Sequence, residues 1–108
     1  MATDWLAQVF KYCLYYYGDE SPCRCTIYYD SFEAFVRRRK VASARTAERR
    51  LRELAQQGLL RRKPLGKTTV FWLTMSACDK FESWLERYRS TEEYKELVAH
   101  AAQYSKGS

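Results

Sequence analysis

Between Val41 and Thr74 the chain reads VASARTAERRLRELAQQGLLRRKPLGKTTVFWLT, and this one segment leaves few folds open. Ala44, Ala47, Leu51, Leu54 and Ala55 recur at helical spacing and define one apolar face. Arg45, Thr46, Arg49, Arg52, Glu53 and Gln56 fall on the opposite face at 100° per residue. Ser43 stands where an N-cap belongs, and Gly58 where a left-handed residue closes a helix. The spacing therefore predicts a helix over 43–57. Two short β-rich runs follow, 59–63 and 68–74, joined by Pro64-Leu65-Gly66-Lys67, whose Pro and Gly suit a tight turn. A helix held from behind that offers Arg, Thr and Gln to solvent has the chemistry to read a DNA major groove. A cationic hairpin beside it suits the neighbouring phosphates.

The flanks extend the pattern. Trp5/Leu6, Val9/Phe10, Cys13/Leu14 and Tyr17 recur as one helical stripe, closed by Gly18. Gly18-Asp19-Glu20-Ser21-Pro22 reads as a loop and Cys23–Tyr29 as a strand. Asp30 and Glu33 open a second helix in the manner of a capping box, with Phe32, Phe35 and Val36 as its buried stripe and Arg37-Arg38-Arg39-Lys40 in its last turn. Ser76 is placed to cap a fourth helix with the stripe Phe81, Trp84, Leu85 and Tyr88. Ser90-Thr91-Glu92-Glu93 starts a fifth, to about Tyr104, with Tyr94, Leu97, Val98 and Ala101 on one face. The expected class is α+β, mainly helical, in the order α-β-α-α-β-β-α with a C-terminal helical extension. Its division is 1–89 for the domain and 90–108 for a helix and tail, of which Lys106-Gly107-Ser108 is set aside as a frayed end.

T-A-E-R-R-L-R-E-L-A-Q-Q-G-L-L-R-R, followed by a short turn and V-F-W-L-T, resembles the winged helix-turn-helix of MarR/PadR/ArsR-type transcription regulators. The resemblance covers roughly residues 30–75 and is specific for the fold more than for any subfamily. It implies a wing at 59–74 and dimerisation through the terminal helices, and hence two reading helices about one DNA turn apart or a multiple of it. On that basis Trp5, Val9, Phe81, Trp84, Tyr88, Tyr94, Leu97, Val98 and Ala101 are assigned to a dimer interface.

Charge agrees with a polyanionic partner. The chain of 108 residues carries a net charge of +6. Residues 37–67 alone hold twelve basic and two acidic side chains, so the rest of the chain is acidic. The DNA-contacting set is expected to be Ser43, Arg45, Thr46, Arg49, Arg50, Arg52 and Gln56 on the helix, with Arg61, Arg62, Lys63 and Lys67 on the wing. Arg37, Arg38, Arg39 and Lys40 are either further phosphate contacts or a solvated helix end. The competing reading is a solvated face on which Arg49–Glu53 and Arg45–Glu48 pair within the helix, at only ~0.2–0.5 kcal/mol per pair.

Other chemistries find little purchase. One His, four Gly and no phosphate-binding loop or nucleophile motif argue against catalysis and against a cofactor. Cys13, Cys23, Cys25 and Cys78 lack C-x-x-C zinc spacing, and His100 is remote, so no metal is expected. Buried free thiols are the default, while a disulfide would suit a hyperthermophilic source, to which the absence of Asn also points. No apolar run approaches the ~18–20 residues of a membrane span, and the N-terminus lacks a signal-peptide pattern. The expected setting is the cytoplasm, in association with a nucleoid. The expected function is double-stranded DNA binding by a homodimeric regulator of prokaryotic, archaeal or viral origin, with any small-molecule effector undefined. The alternative is a protein-interaction module on the same fold, as a subunit of a complex or an inhibitor of a nucleoprotein.

Overall fold

The structure, a computed structural model, describes residues 4–19 and 22–106. Glu20 and Ser21 of the expected loop and the terminal Gly107-Ser108 lie outside the described residues. Five helices and a three-stranded antiparallel sheet make an α+β domain that is mostly helical. In order these are α1 (Trp5–Tyr17), a 3-10 turn (Pro22–Arg24), β1 (Thr26–Tyr28), α2 (Tyr29–Arg38), α3 (Ala44–Gln56), β2 (Leu60–Leu65), β3 (Thr68–Leu73), α4 (Met75–Tyr88) and α5 (Glu92–Lys106).

Four of the five helices start at a side-chain cap. Asp4 accepts the Ala7 amide at 3.1 Å, and Ser43 accepts that of Thr46 at 3.4 Å. At α4 the cap is Thr74, not the expected Ser76: its hydroxyl accepts the Ala77 amide at 3.3 Å and also reaches the Gly58 carbonyl at 2.8 Å. Thr91 accepts the Tyr94 amide and opens α5. The start of α2 is a correction too. The helix begins at Tyr29 with no side-chain cap, and Asp30 sits inside its first turn.

Both α2 and α3 end in the same six-residue turn. Val41 donates to the Val36 carbonyl and Lys40 to that of Arg37; Leu59 donates to the Leu54 carbonyl and Gly58 to that of Ala55. This motif needs a left-handed residue. Gly58 supplies it with φ 80°, but at the end of α2 the position falls to Lys40, at φ 59°.

The sheet order is β1-β3-β2, which leaves β2 on one edge. The hairpin is tighter than expected. Strands β2 and β3 pair from Leu60↔Leu73 to Leu65↔Thr68, and only Gly66-Lys67 remain as the turn. Gly66 takes its first position with φ 60°, as in type II′ turns. Strand β1 is shorter than expected, because Cys23-Arg24 are drawn into the 3-10 turn after Pro22. Ile27, Phe71 and Leu73 face the helices and meet Val9, Phe10, Phe32, Phe35, Leu51 and Phe81 in one core. Stacking of Phe10 on Phe81 at 4.4 Å joins α1 to α4.

Candidate nucleic-acid interface

The outward side of α3 is built by subtraction. Ala47, Leu51 and Leu54 are buried and fix which way the helix faces. Arg45, Arg49, Arg52 and Gln56 then fall within one narrow stripe, and all four are exposed. Eleven residues of rise make that stripe about 16 Å long. Glu48 and Ala55 flank it on the wing side, and Thr46, Glu53 and Arg50 on the α1 side.

Ion pairing divides the cations. Within α3, Arg52 pairs with Glu48 at 2.7 Å and Arg50 with Glu53 at 2.9 Å. These are not the pairs expected from spacing, which joined Arg45 to Glu48 and Arg49 to Glu53. Arg45 and Arg49 consequently make no ion pair among the described residues, and neither do Arg61, Arg62, Lys63, Lys67 or Lys40. Arg50 turns to the flank, lining a cleft with Trp5, Leu6, Leu59 and Lys80. Ser43 and Thr46 are engaged with each other, hydroxyl to hydroxyl at 3.2 Å, in the cap of the helix.

On the wing, strand alternation sends the cations both ways. Arg62 lies opposite Phe71 on the helix-facing side and borders a groove with Arg52, Ala55 and Gln56 of α3. Arg61 and Lys63 lie opposite Trp72 and Val70, on the far face of the sheet. Lys67 shares a second hollow with Arg62, Thr69, Tyr29, Asp30 and Glu48, where α2, α3 and the wing converge. Burial, and then the Glu48, Glu33 and Asp30 carboxylates, push the Tyr29 phenol above its ordinary value, so it stays a neutral donor. The spacing gave no sign of Tyr29 or Thr69 here, because Tyr29 read as the end of a strand. Its position follows from the strand-to-helix change at Tyr28, a tertiary effect.

The basic turn after α2 is not one surface. Arg39 is removed from it: its guanidinium pairs with Glu93 of α5 and lies over the Phe35 ring at 5.2 Å. Arg38 donates to the Ala34 carbonyl and to the Tyr16 hydroxyl, and Arg37 pairs with Glu33 at 3.5 Å. Lys40 alone of the four remains exposed with neither an ion pair nor a side-chain hydrogen bond among the described residues. Glu93 also receives Lys11 at 2.9 Å and the Tyr88 hydroxyl. Burial works against its carboxylate, but the bonds from Tyr88 and Lys11 and the nearby Arg39 charge hold it below the usual range.

Four residues assigned to a dimer interface are needed elsewhere. Val9, Phe81, Leu97 and Ala101 are buried within the single chain, as core, and offer nothing to a second copy. Trp5, Trp84, Tyr88, Tyr94 and Val98 are half-buried. Trp84 stacks on Tyr88 at 4.2 Å, and Tyr94 donates to Asp19. Helix α1 packs closely on α5. A Cβ on Gly18 would meet Ala101 at 3.7 Å, and His100 stacks on Tyr15 at 3.6 Å.

No family model, curated protein or solved structure matches the chain. Among the described residues, no helix is long and apolar enough to cross a membrane, and no three His, Cys, Asp or Glu side chains converge as metal ligands.

Proposed function

We propose that the domain is a winged helix-turn-helix that binds double-stranded DNA, with α3 in the major groove and the β2–β3 hairpin on the adjacent backbone. The observation that carries this reading is the row Arg45, Arg49, Arg52 and Gln56, exposed on a helix whose other side is core. Arg45 and Arg49 hold charges that no acid among the described residues neutralises. Each can address guanine O6 and N7 as a bidentate pair. Glu48 and Asp30, at the α3 and α2 side of the hollow they share with Arg62 and Lys67, suit a cytosine amino group. Arg62 and Lys67 take the phosphates beside α3, and Arg61 and Lys63, on the far face of the ribbon, meet the backbone as the wing crosses it.

The reading extends to a homodimeric transcription regulator associated with a nucleoid, whose second copy docks on the helical side through Trp5, Trp84 and Val98. Fluorescence anisotropy of labelled duplex DNA at two salt concentrations tests the binding. Affinity should fall steeply as salt rises, with a log–log slope of about −0.9 per phosphate contacted. Absence of binding at low salt rejects the proposal.

A further inference from the structure

The four cysteines gather where α1, the 3-10 turn and α4 pack together. Cys25, just before β1, is buried and its thiol interacts with that of Cys13 on α1, also buried. Two residues earlier, Cys23 is exposed on the 3-10 turn, which packs against α4, and its neighbour there is the thiol of Cys78 in the first turn of α4. The C-x-C spacing thus splits across a bend: one cysteine faces the core and one faces solvent and α4. All four are free thiols.

We propose that Cys23 and Cys78 form a reversible disulfide, a thiol-modification site that ties the 3-10 turn to the start of α4, while Cys13 and Cys25 stay reduced. The oxidant is a low-molecular-weight disulfide. The Cys23 thiolate attacks one of its sulfurs, the small S–S bond breaks, and the departing half takes up the proton that Cys23 gave up. Cys78 then attacks the Cys23 sulfur of the mixed disulfide, forms the Cys23–Cys78 bond and releases the other half as a second thiol. Two protein thiols are oxidised and one small disulfide is reduced. The order follows from access. Cys23 is exposed and Cys78 is only partly so, and the exposed sulfur meets the oxidant first while its partner resolves the adduct. The sealed pair meets no oxidant while the chain is folded. The bridge reaches a structural joint, since the Cys78 amide bonds the carbonyl of Thr74, whose hydroxyl holds the Gly58 carbonyl at the end of α3.

The test incubates the whole folded chain with oxidised glutathione, then maps peptides without reduction and follows thermal unfolding. The expected product is a monomer two hydrogens lighter, with Cys23 linked to Cys78 and Cys13 and Cys25 still alkylated after unfolding. Closing a loop of this length should raise the melting temperature by about 10–20 °C, and dithiothreitol should reverse it. Cys23→Ser and Cys78→Ser should each abolish both the link and the rise. A lasting glutathione adduct on Cys23, a link through Cys13 or Cys25, a bridge between chains, or free thiols at both positions would each overturn the proposal.

Discussion

At the scale of single residues, the side chains of α3 separate into those already satisfied by the chain and those that are not. Arg50 and Arg52 have carboxylate partners within one helical turn, and Arg45 and Arg49 have none among the described residues. Replacing Arg49 with Ala should weaken binding to a preferred duplex roughly 5–150-fold and relax preference at one base position. Arg62→Ala should instead weaken binding to all sequences alike and lower the salt slope by about one. Anisotropy titrations against specific and scrambled duplexes distinguish the two, and identical effects from both variants would count against base reading by α3. Lys40 carries a separate prediction. Its left-handed backbone disfavours any side chain, so Lys40→Gly should stabilise the fold by about 1 kcal/mol, seen as a higher denaturant midpoint at unchanged slope. What the sequence conceals at this scale is the choice among partners. Glu48 and Glu53 each have basic residues at both i±3 and i±4, and local spacing cannot rank them. The partner of Arg39 lies 54 residues away, beyond any pattern in the helix that carries it.

At the scale of elements, the sequence was informative where punctuation is local. The helix at 43–57 follows from Ser43, a 3.6-residue apolar period and Gly58, and α3 occupies 44–56 with those two residues at its ends. The hairpin follows from Gly66, although Pro64, which reads as a turn residue, belongs to β2 and pairs with Thr69. That is allowed because an edge strand has one side free of ladder bonds. The start of α4 shows the limit. Thr74 and Ser76 are both good caps by type, and tertiary structure selects Thr74, whose hydroxyl also holds the carbonyl that ends α3. Thr74→Ala should therefore cost about 1–2 kcal/mol, while Ser76→Ala, at an exposed position, should stay within about 0.5 kcal/mol. Equal denaturation midpoints for the two variants would refute that assignment.

At the scale of the whole molecule, Glu93 joins elements that the sequence keeps apart. It holds Lys11 of α1, Arg39 after α2 and Tyr88 of α4 to the first turn of α5. Its carboxyl is held below its ordinary 4.5 in the folded state, so the stability it gives is complete above that value and is lost as pH falls through the folded one. Glu93→Gln should lower the melting temperature near neutral pH and flatten the acid side of the stability curve, so that variant and parent converge at low pH. Parallel curves at all pH values would refute the linkage. The placement of β2 bears on assembly. A border strand studded with Arg61, Arg62 and Lys63 and interrupted by an imino acid at position 64 repels an identical ribbon and cannot donate a full set of amides to one. Lateral growth of the sheet into fibrils through this edge is thereby discouraged.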